Sequence, residues 1–327
     1  MIGDITTPAL VSAVSNAGGL GSYAGGYLKP SKFEAEIKEI LELTDRPFNV
    51  NLFVPEHYPV DPDCIQKAIR ALTPIYNQLE LTPRLPSGTP QRDERRFNQQ
   101  VEIIIKYKLP ICSFTFGIPS DAIIKSLKEA NVFLIGTATT ISEALAIQEA
   151  GMDAVILQGE ESGGPRPSFN QPPINVDLYT LLQDAREQLE IPYIASGGIM
   201  TKLDVDKALS FGAIAVQLGT AFILTNESGA SEAYKDMIIN QEEESTVLTR
   251  SYSGKYGRGL KNKFIEYMDG LPQDTIINYP LQDSLTKSIR KAANQLNNID
   301  YIALWCGLNG FKGKKQSVEE LIHSLVD

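Results

Sequence analysis

Pro192-Tyr193-Ile194-Ala195-Ser196-Gly197-Gly198-Ile199-Met200, followed a helix's length later by Gly212-Ala213-Ile214-Ala215-Val216-Gln217-Leu218-Gly219-Thr220-Ala221-Phe222, is the stretch that decides the fold. Two short apolar runs each end in glycine, and the segment between them reads as a helix starting near Thr201. In a (β/α) barrel the loops after the last two strands form a phosphate cup. Glycine lets the backbone approach the phosphate oxygens, and amides at a helix start turn their N–H groups toward an anion. Thr220 adds a hydroxyl donor. The pattern predicts a phosphorylated ligand held mostly by main chain around Gly198, Gln217, Leu218, Gly219 and Thr220. Two ordinary βα turns are the plain alternative.

Outward from this stretch, apolar runs alternate with helical periodicities. Strands are predicted at Gly19–Tyr23, Phe48–Val54, Pro110–Phe116, Val132–Gly136, Ala154–Leu157, Tyr193–Ala195 and Ala213–Leu218. Helices are predicted at Thr7–Asn16, Ser31–Leu43 (a capping-box pattern of Ser31 with Glu34), Asp63–Leu79, Arg92–Tyr107, Ser120–Ala130, Ile141–Ala150, Val176–Leu189 and Lys202–Phe211. Leu81–Pro90 and Gln158–Pro173 read as loops. Strand–helix alternation implies a parallel sheet. The fold class predicted is α/β, a (β/α)8 TIM barrel over residues 1–225, with a helical C-terminal segment, 226–327, packing on it. That segment ends in a helix at Val318–Val326. A closed barrel needs eight strands and seven are visible, so the first strand is expected to be absent or truncated. A start codon assigned too late, a shortened N-terminus and another segment filling the gap all explain this; a shortened N-terminus is favoured. Without that strand, two sheet edges would face each other unpaired.

The 327 residues carry 30 Lys and Arg against 40 Asp and Glu, a formal charge of −10. An acidic balance argues against nucleic acid or an anionic membrane as partner. No apolar stretch approaches the ~20 residues of a membrane span, and no secretory signal is visible. A cytoplasmic protein is the expectation. Cys64, Cys112 and Cys306 have neither metal nor disulfide spacing, so no metal is expected. Cys112 sits in an apolar run and reads as a buried thiol.

Several motifs, in order, carry a family resemblance. They are Thr7-Pro8-Ala9-Leu10-Val11, Ser15-Asn16-Ala17-Gly18-Gly19-Leu20-Gly21, Asn49-Val50-Asn51-Leu52-Phe53-Val54-Pro55, Ser113-Phe114-Thr115-Phe116-Gly117, Gly136-Thr137-Ala138-Thr139-Thr140, Gln158-Gly159-Glu160-Glu161-Ser162-Gly163-Gly164, Gly197-Gly198-Ile199-Met200, Gln217-Leu218-Gly219-Thr220-Ala221-Phe222, and Ser253-Gly254-Lys255 with Arg258-Gly259. Together they resemble the nitronate monooxygenases, formerly 2-nitropropane dioxygenases, from the first residues to about Trp305. The resemblance implies a (β/α)8 barrel with FMN at the carboxyl ends of the strands. It implies Asn51 facing the flavin, Gln158 and Gly163 beside the isoalloxazine and ribityl chain, and Gly198 and Gln217 to Thr220 at the phosphate. It also implies FMN-dependent oxidation of alkyl nitronates by O2; the oligomeric state stays open.

The chain departs from the family where the loop usually reads Gly-Gly-His-Arg-Gly. Here it is Gly163-Gly164-Pro165-Arg166-Pro167. In the family that histidine is the expected proton acceptor, and proline has no ionisable group. Neutral nitroalkanes, which must lose a carbon-bound proton, are therefore expected to be poor substrates, whereas nitronates are already anions. The catalytic residue is left unassigned. His57, near a strand end, is a weak replacement candidate, with a solvated loop histidine the more ordinary reading. Arg166 could pair with an anionic group, though a solvent-facing side chain is slightly favoured. Glu242-Glu243-Glu244 reads as a solvated face. Near the C-terminus Trp305-Cys306-Gly307-Leu308 stands where related chains tend to show Trp-x-Gly-Gln. Two other readings remain: a flavin-dependent enoyl-ACP-type reductase, and an FMN-binding protein that has lost catalysis.

Overall fold

Val50 and Leu52 pack outward from their strand while Asn49 and Asn51 face inward, and this period-two alternation organises the whole sheet. The computed structural model describes residues 5–86, 88–169, 174–243 and 245–326. Met1 to Asp4, Ser87, Asn170 to Pro173, Glu244 and Asp327, some within predicted segments, lie outside these ranges. The strands in chain order are β1 (Gly21–Ala24), β2 (Phe48–Phe53), β3 (Ile111–Thr115), β4 (Phe133–Ala138), β5 (Ala154–Gln158), β6 (Gly164–Pro165), β7 (Tyr193–Ser196), β8 (Ala215–Gln217), β9 (Thr246–Thr249) and β10 (Gly257–Leu260). Seven pair in parallel in the order β1-β2-β3-β4-β5-β7-β8 and curl into an incomplete TIM-type barrel with helices on the outside.

The outer face of the sheet carries Val50, Leu52, Cys112, Phe114, Leu134, Val155, Leu157 and Ala195. They meet helix residues such as Phe33, Ile37, Ile104, Leu127, Ile147 and Leu181 in one continuous core. Full burial of each large apolar side chain contributes about 1.5–3 kcal/mol. The inner face has an apolar floor of Ile111, Ile135, Ala154, Ile156 and Ile194.

Helix starts follow local chemistry. Thr7 caps the helix Pro8–Asn16, with Pro8 at its first position, and Thr201 forms a true capping box with Asp204 on the helix Lys202–Ser210. The expected Ser31–Glu34 box does not form. The helix begins one residue earlier, at Pro30, whose fixed φ starts the turn without a side-chain cap.

Among the described residues no strand joins β1 to β8. The C-terminal helix Val318–Val326 covers the outside of that seam. It packs on the helices Pro8–Asn16, Lys202–Ser210 and Thr220–Ile223. Leu321 and Leu325 are buried with Met200 and Ala221, and Lys202 Nζ donates to the Val326 carbonyl at 3.2 Å.

A second core joins the helix Pro62–Gln78 (Ile65, Leu72, Tyr76) to Tyr252, Phe264, Leu285 and Ile289 of the C-terminal segment. Two features there differ from expectation. The C-terminal segment contains strands β9 and β10, and the loop Gln158–Pro173 contributes β6, so the three form an antiparallel sheet in the order β6-β10-β9. Main-chain pairing of Gly257 with Pro165 and of Arg258 with Gly164 fixes that loop over the barrel mouth.

Candidate active site at the barrel mouth

Toward the carboxyl ends of the strands the inner face turns polar. Gln158, Ser196 and Gln217 stand side by side in register on β5, β7 and β8. The side-chain amides of Gln158 and Gln217 have no hydrogen-bond partner among the described residues, so both remain available to a ligand. On β2, Asn51 Oδ1 accepts from Ser113 Oγ at 2.9 Å and Thr115 Oγ1 at 3.0 Å. Its oxygen is thus committed, and its Nδ2 donors are not. Asn51 sits three strands from Gln158 in the sheet and is not in contact with the loops around Gly198.

Four loop segments converge beyond β5, β7 and β8. Gly198 has φ +69°, a conformation that favours glycine; a Cβ there would stand 3.0 Å from Glu161 Cβ and 3.2 Å from Asn309 Nδ2. Asn309 Nδ2 donates to the Gly198 carbonyl at 2.6 Å. A Cβ on Gly163 would lie 2.5 Å from the amide nitrogen of Gly307, so only glycine lets the two strands of chain pass. Gly307 N donates to Thr220 Oγ1 at 3.0 Å, and the Cys306 thiol lies beside the same hydroxyl. Gly163, Gly198 and Thr220 are thereby held in one cradle together with Glu161, Gly307 and Asn309, three residues the sequence reading did not select. Gly307 lies in the Trp305-Cys306-Gly307-Leu308 stretch, read as a departure from related chains, and Asn309 carries no sequence signal.

The amides of Gly198, Ile199, Gly219 and Thr220 donate to no other group among the described residues. Ile199 is buried, Gly198 and Thr220 are half-buried and Gly219 is exposed; unpaired buried N–H groups are rare, and the cluster makes a donor set suited to an anion. Glu161 faces away from this donor set. Its carboxylate accepts from the Leu178 amide at 3.1 Å, at the start of the helix Leu178–Gln188, and burial pushes its pKa up.

Arg166, read from sequence as slightly more probable at the surface, is buried with 3% exposure. Its Nη1 donates to the Gly159 carbonyl at 3.2 Å, and its own amide donates to Tyr256 O at 2.7 Å. Arg258 Nε similarly donates to the Glu160 carbonyl at 2.9 Å. The two guanidiniums therefore brace the β5–β6 loop, and desolvation lowers the pKa of each. The place of Arg166 in a polar loop concealed this, since β-pairing of Gly164 and Pro165 is what turns it inward.

A profile of nitronate monooxygenases matches residues 1–327. A probable nitronate monooxygenase of Staphylococcus aureus strain MSSA476 is 44% identical over 306 residues, covering 92% of this chain and 85% of that protein. The chain belongs to the nitronate monooxygenase family. A Bacillus subtilis strain 168 relative, also a probable nitronate monooxygenase, is 42% identical over 329 residues, 99% of this chain and 93% of its own length. The structure of a nitroalkane oxidase from Streptomyces ansochromogenes is similar at TM-score 0.92 and 32% identity, covering 99% of this chain and 92% of that one. FabK of Thermotoga maritima is similar at TM-score 0.76 and 26% identity, covering 99% and 89%.

Nitronate monooxygenases are flavin-dependent oxidoreductases. The phosphate end of a flavin nucleotide fits the Gly198–Thr220 cradle on its donor chemistry: main-chain N–H groups without acceptors, and no carboxylate directed at them.

A second cluster occupies the mouth near β2 and β3. Lys255, 7% exposed at its side chain, lies 2.5 Å from Glu56 Oε1 and over the rings of Phe116, at 4.7 Å, and Tyr279, at 5.4 Å. Phe116 adopts φ +73°, unusual for a bulky residue and worth about 1–3 kcal/mol of strain. Its ring lies tilted between Phe53 and Tyr279, at 54° and 50°, and Tyr27 meets Phe53 edge-on. Protein surrounds the Tyr27 and Tyr279 hydroxyls, which lie side by side, yet solvent reaches part of both side chains, so they line a recess. Desolvation raises both phenol pKa values, keeping them neutral donors.

His57 is exposed on the loop after β2, and His323 is exposed on the terminal helix. Glu242 and Glu243 are exposed, whereas Glu244 lies outside the described residues. Cys112 is buried, as is Cys306, whose thiol burial pushes up to about 12. Among the described residues no helix is long and apolar enough to cross a membrane, and no group of three His, Cys, Asp or Glu side chains could hold a metal.

Proposed function

We propose that this chain binds FMN and oxidises alkyl nitronates with O2, acting poorly on neutral nitroalkanes. The observation that carries the proposal is the set of acceptorless amides at Gly198, Ile199, Gly219 and Thr220 within a chain of this family. Those amides and the Thr220 hydroxyl would hold the FMN phosphate. Gln158, Gly163, Gln217, Leu218 and, from the far side of the mouth, Asn51 would line the remainder. FMN, when bound, supplies the electron acceptor and the centre that reacts with O2.

The chain's own contribution to the reaction is positional. The β6–β10 ladder holds Pro165 at the position where the family resemblance places a histidine. With no ionisable group there, a substrate whose carbon still carries its proton lacks general-base help, typically worth about 10²–10⁴-fold. A nitronate arrives without that proton and needs only binding and orientation. The Streptomyces relative is named for nitroalkane oxidation, so the comparison of the two substrate forms is informative. The purified protein is expected to be yellow, to retain FMN over riboflavin, and to consume O2 with ethylnitronate at least ten times faster than with nitroethane at equal concentration. An inert yellow protein would support loss of catalysis, and rapid anaerobic bleaching by NADH or NADPH would support an enoyl-ACP-type reductase.

A further inference from the structure

The Lys255 cluster has a relation to Pro165 that the motif alone does not reveal. Gly257 pairs with Pro165 and the Arg166 amide donates to Tyr256 O, so Lys255, in the turn closed by Ser253 Oγ, directly precedes the stretch that pairs with the Pro165 segment. The Lys255 side chain meets Glu56 and Phe116, just after β2 and β3.

Glu56 offsets the Lys255 charge, and Asp283 adds a negative field at Tyr27 and Tyr279, so what the cluster offers an anion is the N–H groups of the ammonium. The Lys255 ammonium has three N–H donors and forms an ion pair with Glu56, yet Glu56 Oε1 accepts no hydrogen bond. Tyr279 is held neutral and adds a hydroxyl. The remaining walls, Phe53, Phe116 and the Tyr27 ring, are aromatic and pack ring against ring. Ammonium N–H groups that make no hydrogen bond, beside an apolar wall, match an anion with two oxygens on one end and a short alkyl group on the other.

We propose that Lys255, with the Tyr279 hydroxyl, is the positioning group for the two oxygens of the nitronate, and that Phe53, Phe116 and Tyr27 restrict its alkyl chain to a few carbons. This rests on the nitronate reading above. Glu56 fixes the ammonium in place and offsets part of its charge, while the strained Phe116 backbone holds the ring under it.

The test measures ethylnitronate kinetics together with calorimetric titration by propionate, an unreactive anion of similar shape, on the FMN-loaded protein. Lys255→Met is expected to raise KM for ethylnitronate and weaken propionate binding, each about 10- to 100-fold, as for loss of a charged hydrogen bond. The change in kcat should be smaller, and Lys255→Arg should recover part of the loss. Values within twofold of the parent in a folded, flavin-loaded Lys255→Met protein overturn the proposal. Should that variant fail to fold, Glu56→Gln decides. Releasing the ammonium from its carboxylate is expected to tighten propionate binding, and unchanged or weaker binding refutes the assignment. If the parent protein binds FMN but turns over no nitronate, the functional reading fails. The propionate titrations then still judge the recess on their own.

Discussion

Substituting Gly198 by aspartate probes the cradle through two separable effects. The first is on folding. Gly198 sits at φ +69°, and a Cβ would press to 3.0 Å on Glu161 Cβ and 3.2 Å on Asn309 Nδ2. A non-glycine residue in the left-handed region costs about 1–2 kcal/mol, against a typical domain stability of roughly 5–15 kcal/mol, so the variant should fold with a lowered Tm. The second effect is on phosphate. A carboxylate about 5 Å from one phosphate charge at an effective dielectric of ~20 repels it by about 3 kcal/mol. That is more than 100-fold in affinity, and the introduced carboxylate also competes for the Gly198 and Ile199 amides. Riboflavin lacks the phosphate and should feel only the first effect. The assay is fluorescence titration of flavin-free protein with FMN and with riboflavin, alongside circular dichroism. The parent should prefer FMN strongly, and Gly198→Asp should lose most of that preference while keeping its fold. An undiminished FMN preference in a folded variant would refute the assignment of phosphate to these amides.

Other outcomes follow from the same structure. Pro165→His should restore a base beside the flavin site and raise turnover of neutral nitroethane about 10²-fold or more, with a smaller change for ethylnitronate; initial rates of O2 consumption on the two forms decide this. His57→Ala should leave nitroethane turnover by the parent unaltered, because the exposed ring lies on the loop after β2 and not against β6. Glu161 has its pKa raised from 4.5 by burial, so its ionised form is less stable in the folded state than in the unfolded chain. Folding stability from this group is therefore greatest below pH ~4.5 and falls as pH rises through the raised folded value. In flavin-free protein Glu161→Gln should match the parent Tm near pH 4 and exceed it increasingly toward pH 7. Leu321→Ala, in the helix covering the β1–β8 seam, should cost about 2–5 kcal/mol in urea denaturation.

The sequence exposed most of the barrel because its signals are local. Alternation at Asn49–Phe53 and the glycine endings at Gly197 and Gly219 each depend on residues within a few positions, and helix starts at Thr7 and Thr201 needed only an oxygen near the first free amides. What escaped was made by long-range pairing. β10 is Gly257-Arg258-Gly259-Leu260, a stretch with little strand propensity that is extended because β9 and β6 flank it. That same pairing buries Arg166, whose place in a polar loop reads as solvent-facing. Ser31 and Glu34 had the composition of a cap, but Pro30 had already begun the turn. In the site, Gly198, Gln217 and Thr220 were legible from glycine punctuation. Glu161, Asn309 and the Glu56–Lys255 pair were not, because each depends on a partner from a distant part of the chain.

The most direct test of the whole account is a crystal structure of the FMN-loaded protein. The account predicts phosphate oxygens within hydrogen-bonding distance of the Gly198, Gly219 and Thr220 amides, with the isoalloxazine between Asn51 and Gln158. A phosphate bound by side chains elsewhere, with those amides facing only water, would contradict it.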